Sequence, residues 1–189
     1  PLTVEQRRLY EDALAEFRAD GAVARDERAV ARRGRILALL TRLKEVCDHP
    51  VLVEGTDGPL GDRSGKLARL DGILEEVFDR GESVLVFTQY AKMGRLLRAH
   101  LLDVFGRTMP FLHGGLDAAA REAEIEAFRT GTVPAAFILS LKAGGFGLNL
   151  TRATHVVHFD RWWNPAVENQ ATDRAHRIGQ EKTVFVHTF

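Results

Sequence analysis

A single cysteine, Cys47, is all that this 189-residue chain carries. Neither an internal disulfide framework nor a zinc cluster built on cysteines is therefore possible. Excess charge is also missing, because Lys+Arg and Asp+Glu both number 26. No whole-chain field draws in nucleic acid, and any contact with it has to come from a local patch. No apolar run approaches the length of a bilayer span, and no opening stretch has the form of a signal peptide. No membrane partner is expected. The seven histidines show no metal-ligand spacing, so no metal site is expected either. Lysine is scarce beside arginine and alanine is abundant, which points to a GC-rich bacterial source, and the single cysteine fits an intracellular, cytoplasmic setting. What remains, 45% hydrophobic and 28% charged residues, is the make-up of a globular domain. The length suits one α/β domain plus an appendage. The chain starts on Pro1 and stops in an apolar run at Phe189, so a piece of something longer is expected.

Residues 1–63 read as a helical segment and residues 64–189 as an α/β domain. Thr3 and Gln6 have the spacing of a capping box. Leu9, Leu14 and Phe17 continue the apolar face up to Gly21. A second periodic stretch from Ile36 to Cys47 ends at Asp48-His49-Pro50. The charged run Arg25 to Arg35 between them is either a solvated helix or a connection. Residues 51–63, rich in glycine, read as loop. From Ser64 the pattern becomes strict alternation. Strands are expected at 84–87, 110–112, 136–139, 155–159 and 183–189, and helices at 64–80, 90–105, 117–129 and 165–178. That alternation predicts a parallel sheet with helices on both faces and ligands at the C-terminal strand ends.

Most of the chemistry-bearing residues fall at those ends. Gln170 to Gln180 contains Arg174 and Arg177, three apart and so expected on one face of a helix. Paired guanidiniums are poor core and good phosphate ligands, because the planar fork matches phosphate oxygens and keeps its charge. The loop after the third strand holds Gly144, Gly145 and Gly147, which would let backbone amides approach a phosphate. The Trp162-Trp163 pair after the fourth strand reads either as a loop plug on the domain's own core or as a stacking surface for nucleic acid. Asn164 is a helix cap with Pro165 in the first turn. His113-Gly114-Gly115 and Thr88-Gln89-Tyr90 read as phosphate-contacting turns or as ordinary strand-to-helix turns, with Asp117 a cap. The stretch Gly61 to Leu67 imitates a phosphate loop, but its spacing is one residue short and Leu67 stands where a magnesium-binding hydroxyl is required. The chain thus has arginines that could reach a nucleotide and no complete cradle for one. That is the arginine-finger arrangement, serving a nucleotide held elsewhere.

Together these residues resemble the second RecA-like lobe of Swi/Snf-type ATPases, superfamily-two motors that translocate on double-stranded DNA. The resemblance runs through Val84 to Tyr90, Leu112 to Gly115 with Arg121 and Phe128, Leu139 to Leu150 with Trp163-Asn164-Pro165, and Gln170 to Gln180. Leu43 to Pro50 and Ser64 to Leu67 match the lead-in to that lobe. It implies a RecA-like α/β fold preceded by a helical protrusion and linker, cut before the closing brace. It implies that Arg174 and Arg177 reach ATP on the first lobe when the lobes close, with Gln170 in the same interface and Gly145 and Gly147 near the nucleotide. Thr88, Gly114, Ser140, Lys142 and Trp163 would meet DNA, and Leu141 departs from the more usual threonine. ATP and Mg2+ would be bound mainly by the N-terminal RecA-like lobe of the same chain, and neither tightly by these residues. The partners implied are double-stranded DNA, that first lobe, and a DNA-bound protein target. By this reading the parent is a DNA-dependent ATPase and the piece alone is inactive. Three alternatives stay open: a binding lobe from a degenerate parent, a lobe of a strand-separating helicase, and a stand-alone nucleotide-binding enzyme.

Overall fold

Five short apolar runs, each bounded by turn-forming residues, pair into one fully parallel sheet in the computed structural model. The structure describes residues 1–23, 29–55, 60–140, 148–162 and 164–189. The strands are β1 (Val84–Thr88), β2 (Phe111–Leu112), β3 (Ala136–Ser140), β4 (His155–His158) and β5 (Phe185–Thr188), in the spatial order β2-β3-β1-β4-β5. Every residue of β1, β3 and β4 is buried, which is why these runs do not alternate with polar residues. The chain divides into two compact units, Pro1–Arg69 and Leu70–Phe189.

In the first unit, α1 (Val4–Val23) and α2 (Ala29–Asp48) are long helices. The capping box forms as expected: Thr3 N donates to Gln6 Oε1 at 3.1 Å and Gln6 N to Thr3 Oγ1 at 3.1 Å. The Gln6 amide does more than the motif requires. Wholly buried, it donates to the Val46 and Cys47 carbonyls (2.8 and 2.9 Å) and accepts from Gly65 N (3.2 Å). Gly21 does not stop α1, and the stretch read as loop from residue 51 begins with a one-turn helix, α3 (Val51–Glu54). Pro50 already has helical dihedrals, and Gly55 ends the turn at φ +69°. Lys66, in the imitation phosphate loop, reaches Asp48 Oδ1 at 2.7 Å and is the start of α4 (Gly65–Asp79), capped by Ser64 Oγ.

In the second unit, the crossovers put helices on both faces. From β1 the chain runs through α5 (Ala91–Phe105) two places one way to β2, then returns through α6 (Ala118–Thr130) and later α7 (Pro165–Thr172) in the other direction. With right-handed crossovers, that reversal puts α5 opposite α6 and α7. Packing agrees. Phe87, Phe137, Leu139 and Val156 join Phe128 of α6 and Ala171 of α7 in one core cluster. The alternate residues, among them Phe111, face α5, where Gly94 lets the Phe111 ring approach so closely that a Cβ would meet it at 2.4 Å. Asp117 caps α6 through Ala120 N at 2.8 Å, as expected. The RecA-like α/β class is therefore realised, and every C-terminal strand end lies along one edge of the sheet.

Candidate nucleotide and nucleic-acid interface

Along that edge, β1 and β3 end side by side at Thr88 and Ser140, which are paired in register and both buried. The chain beyond β4 turns back over the end of β1 and is held there by Asp160. This carboxylate, 2% exposed, accepts from Thr88 Oγ1 at 2.5 Å and from Gln89 N at 2.9 Å. A buried carboxylate is tolerated only with such donors, which are also strengthened by its charge. The Thr88 hydroxyl is thus turned inward, and it is the neighbouring Gln89 that reaches the next loop, donating from Nε2 to the Arg161 carbonyl at 2.5 Å.

Arg161 and Trp162 are in turn held by α7. Asn164 caps this helix through Ala166 N at 3.0 Å, with Pro165 in the first turn as expected. One turn in, the Glu168 carboxylate receives Arg161 Nε at 2.9 Å, Arg161 Nη2 at 3.0 Å and Trp162 N at 2.8 Å. Burial alone would raise its pKa, but the Arg161 fork and the Trp162 amide outweigh this and hold it below the usual carboxylate range. Further along, His158 Nε2 meets Thr172 Oγ1 at 3.0 Å, and the imidazole stacks on Phe87. Burial lowers the His158 pKa, and its Nδ1 has no hydrogen-bond partner. The economical tautomer carries its proton on Nε2, donated to Thr172, since a bare acceptor is less costly to bury than a bare N–H.

Arg174 and Arg177 do not lie on a helix face, contrary to the expectation from their spacing. α7 stops at Thr172, and turns follow. Arg174 N donates to Ala171 O, three residues back, while the Arg174 carbonyl is turned to accept from Leu150 N at 3.1 Å. Gln180 secures the bend: its Nε2 lies within 2.9 Å of the Thr151 and Ala153 carbonyls and 3.3 Å of the Ala175 carbonyl. Gly179 supplies the left-handed backbone just before it, at φ +100°. The bend buries Arg174 to 7% exposure and leaves Arg177 exposed, with Nη1 3.3 Å from the Leu148 carbonyl. Burial, and then the like charges of Arg177 and Arg121, push the Arg174 pKa down. Among the described residues no carboxylate pairs with Arg174. Cations from α6 and from the turns after α7 therefore lie close enough to repel one another.

Gln170 is exposed on α7, and Gly114 is exposed in the turn after β2, where His113 Nδ1 accepts from Gly115 N at 3.1 Å. Lys142, Gly145, Gly147 and Trp163 lie outside the described residues. Sequence reasoning missed Glu168 and Asp160, and it marked Gln180 only as the end of the Gln170–Gln180 stretch, without a structural role. No motif spacing marks the two acids, and nothing in the stretch that ends at Gln180 shows which carbonyls its amide will meet.

Comparison with known proteins decides the family. Residues 65–179 match the model described as the helicase conserved C-terminal domain. A solved structure, the Sulfolobus solfataricus SWI2/SNF2 ATPase C-terminal domain, is 37% identical with a TM-score of 0.81, and the match covers 99% of this chain and 74% of that one. The chain belongs to the SWI2/SNF2 helicase C-terminal domain family. This helicase C-terminal lobe also superposes on the Sulfolobus solfataricus SWI2/SNF2 ATPase core in complex with dsDNA, with 38% identity and a TM-score of 0.85, over 99% of this chain and 38% of that chain. It is 47% identical to YwqA of Bacillus subtilis (strain 168) across 99% of its length, which is 20% of YwqA. The lobe thus spans about a fifth of that curated relative.

ATP with Mg2+ is the group this family implies. The lobe's residues fit one side of a polyphosphate, since Arg174 is a buried cation with no described counter-ion. Among the described residues there is no group of three or more acids, histidines or cysteines that could hold a metal ion.

Proposed function

We propose that this lobe is the second half of an ATP-driven translocase on double-stranded DNA. In this reading Arg174 and Arg177 stabilise the charge of the transferring phosphoryl group from the side opposite the first lobe, which holds the nucleotide and its metal. The observation that carries the proposal is Arg174: a buried guanidinium, depressed by burial and by two neighbouring arginines, with no carboxylate paired to it among the described residues. An incoming polyphosphate would relieve that imbalance. Arg177 is exposed nearby. Gln170 shares the face toward the first lobe, with Gly145 and Gly147 close to the nucleotide. Gly114, Lys142 and Trp163 meet the DNA backbone, as does the strand edge at which Thr88 and Ser140 end side by side. The Sulfolobus solfataricus SWI2/SNF2 ATPase core in complex with dsDNA, on which the lobe superposes, supports the DNA assignment. A DNA-bound protein is the object moved, in a bacterial cytoplasm.

In the whole motor, Arg177→Ala lowers kcat by about three orders of magnitude while DNA affinity stays nearly intact. Steady-state ATPase rates at saturating DNA, with DNA binding measured in parallel, decide this. An unchanged kcat removes the finger assignment. The lobe by itself hydrolyses no ATP, and DNA-stimulated turnover by the purified chain would refute that.

A further inference from the structure

Nothing in the function proposed above says how the DNA side of the lobe informs the arginines. The structure places one carboxylate between them. Glu168 is 8% exposed and takes three donors, two from the Arg161 guanidinium and one from the Trp162 backbone. On the loop's other side, the Arg161 carbonyl is bonded to Gln89 at the end of β1, and Asp160 is bonded to Thr88 and Gln89. The loop is therefore clasped between the strand end and α7. Helix α7 is only eight residues long, so Glu168 lies about 6 Å along the axis from its last residue, Thr172. Beyond Thr172, Arg174 is still wound onto the helix through its N–H to Ala171, and its carbonyl is pinned by Leu150.

We propose that Glu168 is a positioning residue that links the loop after β4 to Arg174 and Arg177 through the short rigid span of α7. The inference rests on the function proposed above, in which that loop meets DNA and those arginines meet the nucleotide. When DNA displaces the loop, the bidentate Arg161–Glu168 pair moves α7 with it, and the turn carrying Arg174 follows. An exposed ion pair would transmit little, because solvent and side-chain freedom absorb the motion. Here the carboxylate end is buried and tied to the backbone as well, so Arg161 and Trp162 cannot shift without it. Glu168 itself touches neither nucleotide nor DNA in this account.

The test uses the whole two-lobed motor with the variants Glu168→Gln, Arg161→Ala and both together. The quantities read are the ratio of DNA-stimulated to DNA-free kcat and the DNA concentration for half-stimulation. Each single variant is expected to lower the ratio about tenfold, within the usual range of coupling between sites. The double variant should go no more than about twofold lower, because both remove the same link. Half-stimulating DNA should move less than about threefold. Retention of the ratio within about twofold in either single variant, or multiplied losses in the double, overturns the proposal. So does a rise in half-stimulating DNA that matches the fall in ratio, since the residues would then grip DNA directly. The Arg161 side chain is 57% exposed, so its variant keeps the fold and decides the matter alone if Glu168→Gln does not fold. Arg177→Ala is measured alongside. If that variant keeps its kcat, the proposed function fails; if it loses kcat while Arg161→Ala keeps the ratio, only the linkage fails.

Discussion

Replacing Asp160 by alanine removes a carboxylate that is 2% exposed and bonded to Thr88 Oγ1 and Gln89 N. Hydrogen bonds to a charged group each contribute roughly 1.5–3 kcal/mol, and the Gln89 N–H would be left with no partner. Against this stands relief from desolvating the carboxylate, which recovers part of the loss. The net destabilisation expected is about 3 kcal/mol. Asp160→Asn should cost less, about 1–2 kcal/mol, because an amide still accepts from Gln89 N and can donate to the threonine oxygen. Thr88→Val removes one of the two bonds and should fall in the same range. The chain's two tryptophans, Trp162 and Trp163, follow within three residues of Asp160, so their fluorescence reports unfolding of this unit. With a urea m-value of about 2 kcal/mol/M, Asp160→Ala moves the midpoint down by roughly 1.5 M. A shift below about 0.3 M, or an asparagine variant worse than alanine, would show that the carboxylate is not what holds the β4 loop to β1.

Gln6→Leu leaves Thr3 N, Gly65 N and the Val46 and Cys47 carbonyls without their partner, and urea unfolding should show a loss of about 2–4 kcal/mol. Gln6→Glu should be worse at neutral pH, because it cannot donate and buries a charge. Burial depresses the His158 pKa, so the unfolded chain binds its proton first. The stability this histidine contributes is complete above its unfolded value of about 6.5 and is lost as pH falls from there toward the lower folded value, with a slope of at most about 1.4 kcal/mol per pH unit. His158→Gln should flatten that segment of the stability curve, measured by denaturant midpoints between about pH 5 and 7. Equal slopes in the two proteins would show that His158 does not titrate in this way.

The local rules were readable wherever a signal and its partner lie within one turn of each other. Thr3 with Gln6, Asp117 with Ala120 and Asn164 with Ala166 all form as the sequence predicts. So do the five strands; the runs of β1 and β3 are too continuous for a surface position, whereas β5 lies exposed at the sheet's edge. Two features escaped. Pro50 opens a helical turn where glycines further on suggested a loop, because its fixed φ suits a helix start as well as a break. The stretch after Thr172 keeps helical spacing in sequence and is not a helix, because Leu150 and Gln180 take the carbonyls that a helix would have used.

By itself, the sequence determined the parallel α/β class, the order of its elements and the presence of two arginines near one strand edge. Those depend on periodicity, caps and apolar runs, which act over a few residues. Only the tertiary structure decided what becomes of the arginines: Arg174 is buried with no carboxylate paired to it among the described residues, Arg177 is exposed, and α7 is tied at one end to the loop after β4. The reason is physical. Burial and hydrogen-bond competition depend on groups such as Leu150, Gln180 and Glu168, whose partners are chosen by the packing of the sheet and not by their spacing along the chain.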